Sequence, residues 1–128
     1  MRSTNNIESA GECIRTICKH HRIKAGNIPL VSDIDGIIEI LKQFDFYATD
    51  LHMSMQGLAD CPKPAIVQTT TGFMTILEAS KISVKITYGE NEVHRIAFMD
   101  FIKIWTGAVI VIEPPPQRRW SFFNKMFN

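Results

Sequence analysis

An α+β fold is predicted for this chain, with helices first and an antiparallel sheet after them. Three observations carry the prediction. Apolar residues recur at helical spacing through Phe44, the pattern turns to a two-residue alternation after Pro62, and Gly, Asn and Ser punctuate that alternation.

The first helix is read from Ile7, Ala10, Ile14, Ile17, Cys18 and His21, which share one face at 3.6-residue spacing. Asn5 with Glu8, or Ser9 with Glu12, each fits a capping box, so the start stays open between them. Gly26 and Pro29 are expected to end the element. In the second helix Ser32 is the expected cap, Asp33 and Asp35 fill the first turn, and Ile34, Ile37, Ile38, Leu41 and Phe44 form the stripe. Gly36 lowers its intrinsic helicity by about 1 kcal/mol.

Residues 47–51 read as a short strand and residues 53–58 as a helical turn or loop. Strands follow at 65–68, 73–78 and 82–88, the last two joined at Ser80 and Lys81. Val84, Ile86 and Tyr88 alternate with Lys85 and Thr87, the mark of a half-buried strand. Gly89-Glu90-Asn91-Glu92 is a turn, and residues 93–97 return from it. Residues 98–104 form a helical turn with Phe101 and Trp105 facing inward, and residues 107–112 form a last apolar strand. The helices are expected on one side of the sheet.

The bulk numbers bound the function. At 128 residues, 45% apolar and 21% charged, the chain fits one ordered domain, taken as 1–114, with a tail at 115–128. A net charge of +1 gives no broad field toward nucleic acid, and no nucleic-acid partner is expected. No apolar run approaches the roughly 20 residues that span a bilayer. The first residues do not read as a secretory signal. Cys13, Cys18 and Cys61 are odd in number and lack framework spacing, which suits a reducing compartment. After Pro114-Pro115-Pro116, the tail mixes Arg118, Arg119 and Lys125 with Trp120, Phe122 and Phe123. That composition suits a membrane–water interface and a linker to a membrane domain, or a segment packed on its own domain.

Several clusters have a plain reading. Cys18 and His21 are three apart, as metal ligands can be, but a structural site needs four ligands. No metal or other cofactor is therefore expected; Cys18 reads as core, and His20 and His21 as helix-end cations. His94 reads as an exposed strand residue beside a turn, not a displaced base. Met53, Met55 and Met74 suit either a pliable groove or a core.

The order of motifs from residue 35 to 114 resembles a known family. Gly36-Ile37-Ile38-Glu39-Ile40-Leu41-Lys42-Gln43-Phe44 is similar to its second amphipathic helix, and Asp45-Phe46-Tyr47-Ala48 to the strand that follows. Pro64-Ala65-Ile66 is similar to its entry into a base-bearing strand, and Phe101 through Gly107 to its closing Phe-x-x-x-Trp-x-Gly. The family is the bacteriocin-processing cysteine peptidase domain, a papain-like module found in front of some ABC exporters. Some relatives instead carry it before a vitamin K epoxide reductase-like membrane domain.

The resemblance implies a glutamine oxyanion donor, a cysteine nucleophile, a histidine base and an orienting aspartate. In this chain Gly72 stands at the histidine position and Tyr88 at the aspartate position. The nucleophile has two placements, Cys13 within Glu12-Cys13-Ile14 or Ser9 within Glu8-Ser9-Ala10. Neither has a glutamine six residues upstream; Ile7 or Ser3 stands there. The resemblance thus implies a peptidase fold without its acid–base pair. The leading expectation is a non-catalytic domain that binds a peptide or protein cargo through Cys13, Gly72, Phe73 and Tyr88. Its partner would be a membrane domain of the same or another chain, at the cytoplasmic face of the inner membrane. The alternatives are a double-glycine leader peptidase with Cys13 as nucleophile, and an accessory domain of a thiol-oxidising membrane enzyme of the vitamin K epoxide reductase type.

Overall fold

A computed structural model describes residues 5–89 and 92–114. The elements are α1 (Asn5–His20), α2 (Ile34–Gln43), β1 (Tyr47–His52), α3 (Met55–Asp60), β2 (Ala65–Thr69), β3 (Gly72–Ala79), β4 (Ser83–Gly89), β5 (Glu92–Ala97), α4 (Phe98–Ile104) and β6 (Trp105–Glu113). The strands make one antiparallel sheet in the order β1-β6-β2-β3-β4-β5. The last strand lies between the first two, so β1 gains a neighbour only when the end of the domain is in place. The tail at 115–128 and the middle of the β4–β5 turn lie outside the described residues, as do the side chains of the Asn5–Glu8 capping pair.

Each face of the sheet has its own core. Ala10, Cys13, Ile14, Ile17 and Cys18 of α1 and Ile37, Ile40 and Leu41 of α2 pack with Phe46, Ile66, Phe73, Ile110 and Ile112. On the other face, Leu58 of α3 and Phe101 of α4 pack with Val67, Met74, Ile76, Val84, Ile86 and Val109. The expectation of helices on one side is corrected here. The strand residues are apolar in both registers (Ala65, Ile66 and Val67 are all fully buried), so both faces need cover. Met74 is buried, and Met53 and Met55 pack on that second core.

The helix ends also differ from expectation. Asp33, not Ser32, caps α2: its carboxylate accepts the Gly36 N–H at 2.7 Å. Both residue types cap well, and Asp33 is the one that directly precedes Ile34. Since α1 starts at Asn5, Ser9 lies in its second turn and is not its N-cap. α1 stops at His20, well before Gly26. Arg22 takes φ 61, and the Ile23 N–H reaches back to the Cys18 carbonyl at 2.8 Å. That is a Schellman-type cap with arginine where glycine is usual.

The Phe-x-x-x-Trp-x-Gly stretch has a structural cause. Phe101 is fully buried and stacks on Trp105, with ring centroids 5.4 Å apart. Trp105 Nε1 donates to the Ala108 carbonyl at 3.1 Å across a bulge. On β2 only Gln68 separates Val67 from Thr69, whereas their partners on β6 are Val109 and Trp105. Gly107, at φ 96, is the residue that lets the chain turn there.

Gly36 is also a packing residue. A Cβ there would overlap Val31 Cγ2 and crowd the capping Asp33 Oδ1. Helix propensity alone says Gly36→Ala stabilises by about 1 kcal/mol. The packing predicts the opposite sign, a loss of about 1–2 kcal/mol, because a β-branched neighbour has little room to move. Urea unfolding of the variant measures which effect wins.

Candidate functional site

α1 lies mainly on β3 and β4 and brings two polar side chains, one turn apart, to that contact. Ser9 Oγ accepts the Phe73 N–H at 2.9 Å, which places the hydroxyl at the start of β3 beside Gly72. Cys13 lies one turn deeper, 3% exposed, against Thr75 of the same strand. Of the two placements that the sequence leaves open, Ser9 is the residue that meets the Gly72 end.

Burial pushes the Cys13 thiol up to about 12; the nearby Thr75 hydroxyl pulls it back, and the Glu12 charge raises it. The Thr75 hydroxyl is fully buried without a hydrogen bond of good geometry, so its approach to the thiol is a weak polar contact. Thr87, also buried, is its cross-strand partner on β4. Cys13 is therefore a protonated core thiol, the opposite of an activated nucleophile, whose pKa must fall. Burial raises the Cys18 and Cys61 thiols as well.

Gly72 opens β3 after the two-residue turn Thr70–Thr71. Tight hairpins normally take positive φ within the turn. Here Thr70 and Thr71 keep negative φ, and Gly72 takes φ 152 instead. The Thr69 hydroxyl fixes the geometry: it donates to the Gly72 carbonyl at 3.1 Å and accepts the Thr71 N–H at 3.3 Å. Sequence reasoning did not single out Thr69 or Thr75. The run Thr69-Thr70-Thr71-Gly72 was a usable turn signal, since hydroxyls bond their own backbone in turns. Nothing in the alternation marks Thr75 as polar core.

The other expected residues fall as follows. Phe73 is buried in the α1-side core. Tyr88 is on β4, next to Thr87, whose partner Thr75 is three residues from Gly72. The Tyr88 side chain lies outside the described residues. His94 is exposed on edge strand β5, and His52 is exposed on edge strand β1. One strand separates β3 from β5, and two separate it from β1. Among the described residues no group of His, Cys, Asp and Glu is placed to hold a metal. No described helix is long and apolar enough to cross a membrane.

Residues 1–117 match the Peptidase C39 family. Among curated proteins the sequence has no match. In fold, the chain is similar to a double-glycine-motif protease from an AMS/PCAT transporter, solved with its leader peptide. The TM-score is 0.73 at 11% identity, over 84% of this chain and 85% of that one. It is similar to the peptidase domain of Streptococcus ComA, a bifunctional ABC transporter of a quorum-sensing pathway. There the TM-score is 0.71 at 18% identity, over 84% and 92%. The N-terminal peptidase C39-like domain of a toxin secretion ATP-binding protein from Vibrio parahaemolyticus gives 0.68 at 10% identity, over 82% and 95%.

Two outcomes follow from the site geometry. Gly72→His, which places an imidazole where the resemblance expects a base, forces a side chain onto φ 152. We expect it to cost about 1–3 kcal/mol in urea unfolding and to restore no peptide cleavage. Second, the folded state holds the Cys13 proton above pH 9.0, where the unfolded thiol loses it. That contribution is whole below the ordinary value and is lost as pH rises toward about 12. Urea midpoints of the wild type should therefore fall more steeply from pH 8 to about pH 11 than those of Cys13→Ala.

Proposed function

The chain belongs to the Peptidase C39 family, and from that premise we propose that it is a non-catalytic member that holds a peptide or protein cargo for a membrane transporter or a membrane-bound partner. One observation carries the reading. The strand position where the family resemblance expects a base is Gly72, fixed in a backbone conformation that side chains rarely adopt. A nucleophile with no base beside it cannot shuttle the proton that amide cleavage needs.

The same geometry weighs against Cys13 as a peptidase nucleophile, because the thiol is buried and held protonated. The proposed binding region is the Gly72 end of β3 with Tyr88 on β4, where Cys13 and Phe73 form the packed floor and do not touch solvent directly. Ser9 braces that floor through Phe73. The AMS/PCAT protease was solved with a leader peptide, and that supports a peptide as the class of cargo. The relatives in exporters support a location on a membrane-bound assembly, proposed here as the cytoplasmic face of the inner membrane.

A titration of ¹⁵N-labelled chain with a double-glycine leader peptide tests this reading. Amide shifts that saturate at Gly72, Phe73 and Tyr88 are expected. Unmoved spectra, or shifts confined to β1 and β6, would remove the proposed site.

A further inference from the structure

The end of the domain away from Gly72 has an unusual charge balance. From Cys13 to Ser32 the chain holds Arg15, Lys19, Arg22 and Lys24 and no acid, which leaves the remaining residues at net −3. The structure gathers most of this charge at one place. α1 runs along β3 in the same sense, with Ser9 at Phe73 and Cys13 at Thr75, so its C-terminus lies toward the far end of that strand. Lys19, His20, Arg22 and Lys24 are exposed around that C-terminus, and Lys42 is exposed in the last turn of α2.

The chain exit is at the same end. The His21 ring lies 5.2 Å from that of Phe46, and the next residue, Tyr47, pairs with Glu113, the last residue of β6. Tyr47 is 60% exposed. From Pro114 the sequence continues into Arg118, Arg119 and Lys125 with Trp120, Phe122 and Phe123. Exposed acids at this end, Asp45, Glu113 and Glu78 among them, offset part of the charge, and Glu78 lies 3.8 Å from Arg95.

Exposed Arg22 caps the helix at φ 61, where glycine is preferred, and Asp45 at the same end takes φ 71. We propose that this end of the domain is a docking surface for an anionic lipid bilayer, with Lys19, Arg22, Lys24 and Lys42 meeting the headgroups and the Ser9–Gly72 site facing away. Clusters of four to eight Lys or Arg are the usual size of such surfaces. Exposed Tyr47 and the aromatic residues after Pro114 favour a bilayer over a nucleic acid, because aromatic rings suit the headgroup layer. The inference goes beyond the cargo reading and stands whether or not the Gly72 site binds a peptide.

Flotation of the full 128-residue chain with vesicles tests it. Binding is expected to phosphatidylcholine vesicles that contain about one third phosphatidylglycerol, and not to phosphatidylcholine alone, with loss at high salt. Lys19→Gln, Arg22→Gln and Lys24→Gln together should weaken partition about a hundredfold. Arg22→Gly is the informative single change. It relieves the backbone, so thermal stability should hold or rise, while partition falls about fivefold. Equal partition of wild type and the triple variant would overturn the proposal. So would tighter binding to a single-stranded oligonucleotide than to anionic vesicles, or no vesicle binding at all.

Discussion

The seating of α1 across β3 and β4 is the contact on which the rest depends. Its stripe of Ala10, Cys13, Ile14, Ile17 and Cys18 is buried to within a few per cent on the sheet, each large side chain there contributing about 1.5–3 kcal/mol. Because the helix is rigid, that one contact sets both ends of the domain. At its N-terminal part, Ser9 is held against the Phe73 amide and defines what faces Gly72. At its C-terminus, the Arg22 cap presents basic side chains next to the chain exit. A helix shifted by one turn would exchange Ser9 for Cys13 at the strand start, and the chemistry of the site with it.

Much of the fold was legible in the sequence. The alternation of Val84 and Ile86 with Lys85 and Thr87 placed β4, and the helical spacing of Ile34, Ile37, Ile38 and Leu41 placed α2. What could not be read is of two kinds. The insertion of β6 between β1 and β2 is a long-range pairing with no local signature. The cover on both faces was hidden because α3 and α4 are six and seven residues long, too short for a clear period. Helix ends were misread where a residue acts against its propensity. Arg22 stops α1 where glycine is the expected signal, and Gly36 stays inside α2 because Val31 needs the space.

The candidate site was proposed from family resemblance more than from physics. The resemblance expects a base at Gly72, where φ 152 disfavours any side chain. Spacing could not choose between Ser9 and Cys13, since both are on the helix face turned to the sheet. Their depths differ, and depth decides what a thiol or hydroxyl can do. The resulting site has a hydroxyl tied to a backbone amide, a buried protonated thiol, and a strand start shaped by the Thr69 hydroxyl. With Gly72 as its first residue, β3 offers no side-chain proton acceptor at that point.

The most direct test of this account is a long incubation of the chain with a double-glycine leader peptide, followed by mass spectrometry. The account predicts intact peptide after days, under conditions where the spectra show it bound. A product cut after the double glycine, lost in Ser9→Ala or Cys13→Ala, would contradict it and identify the nucleophile in the same experiment.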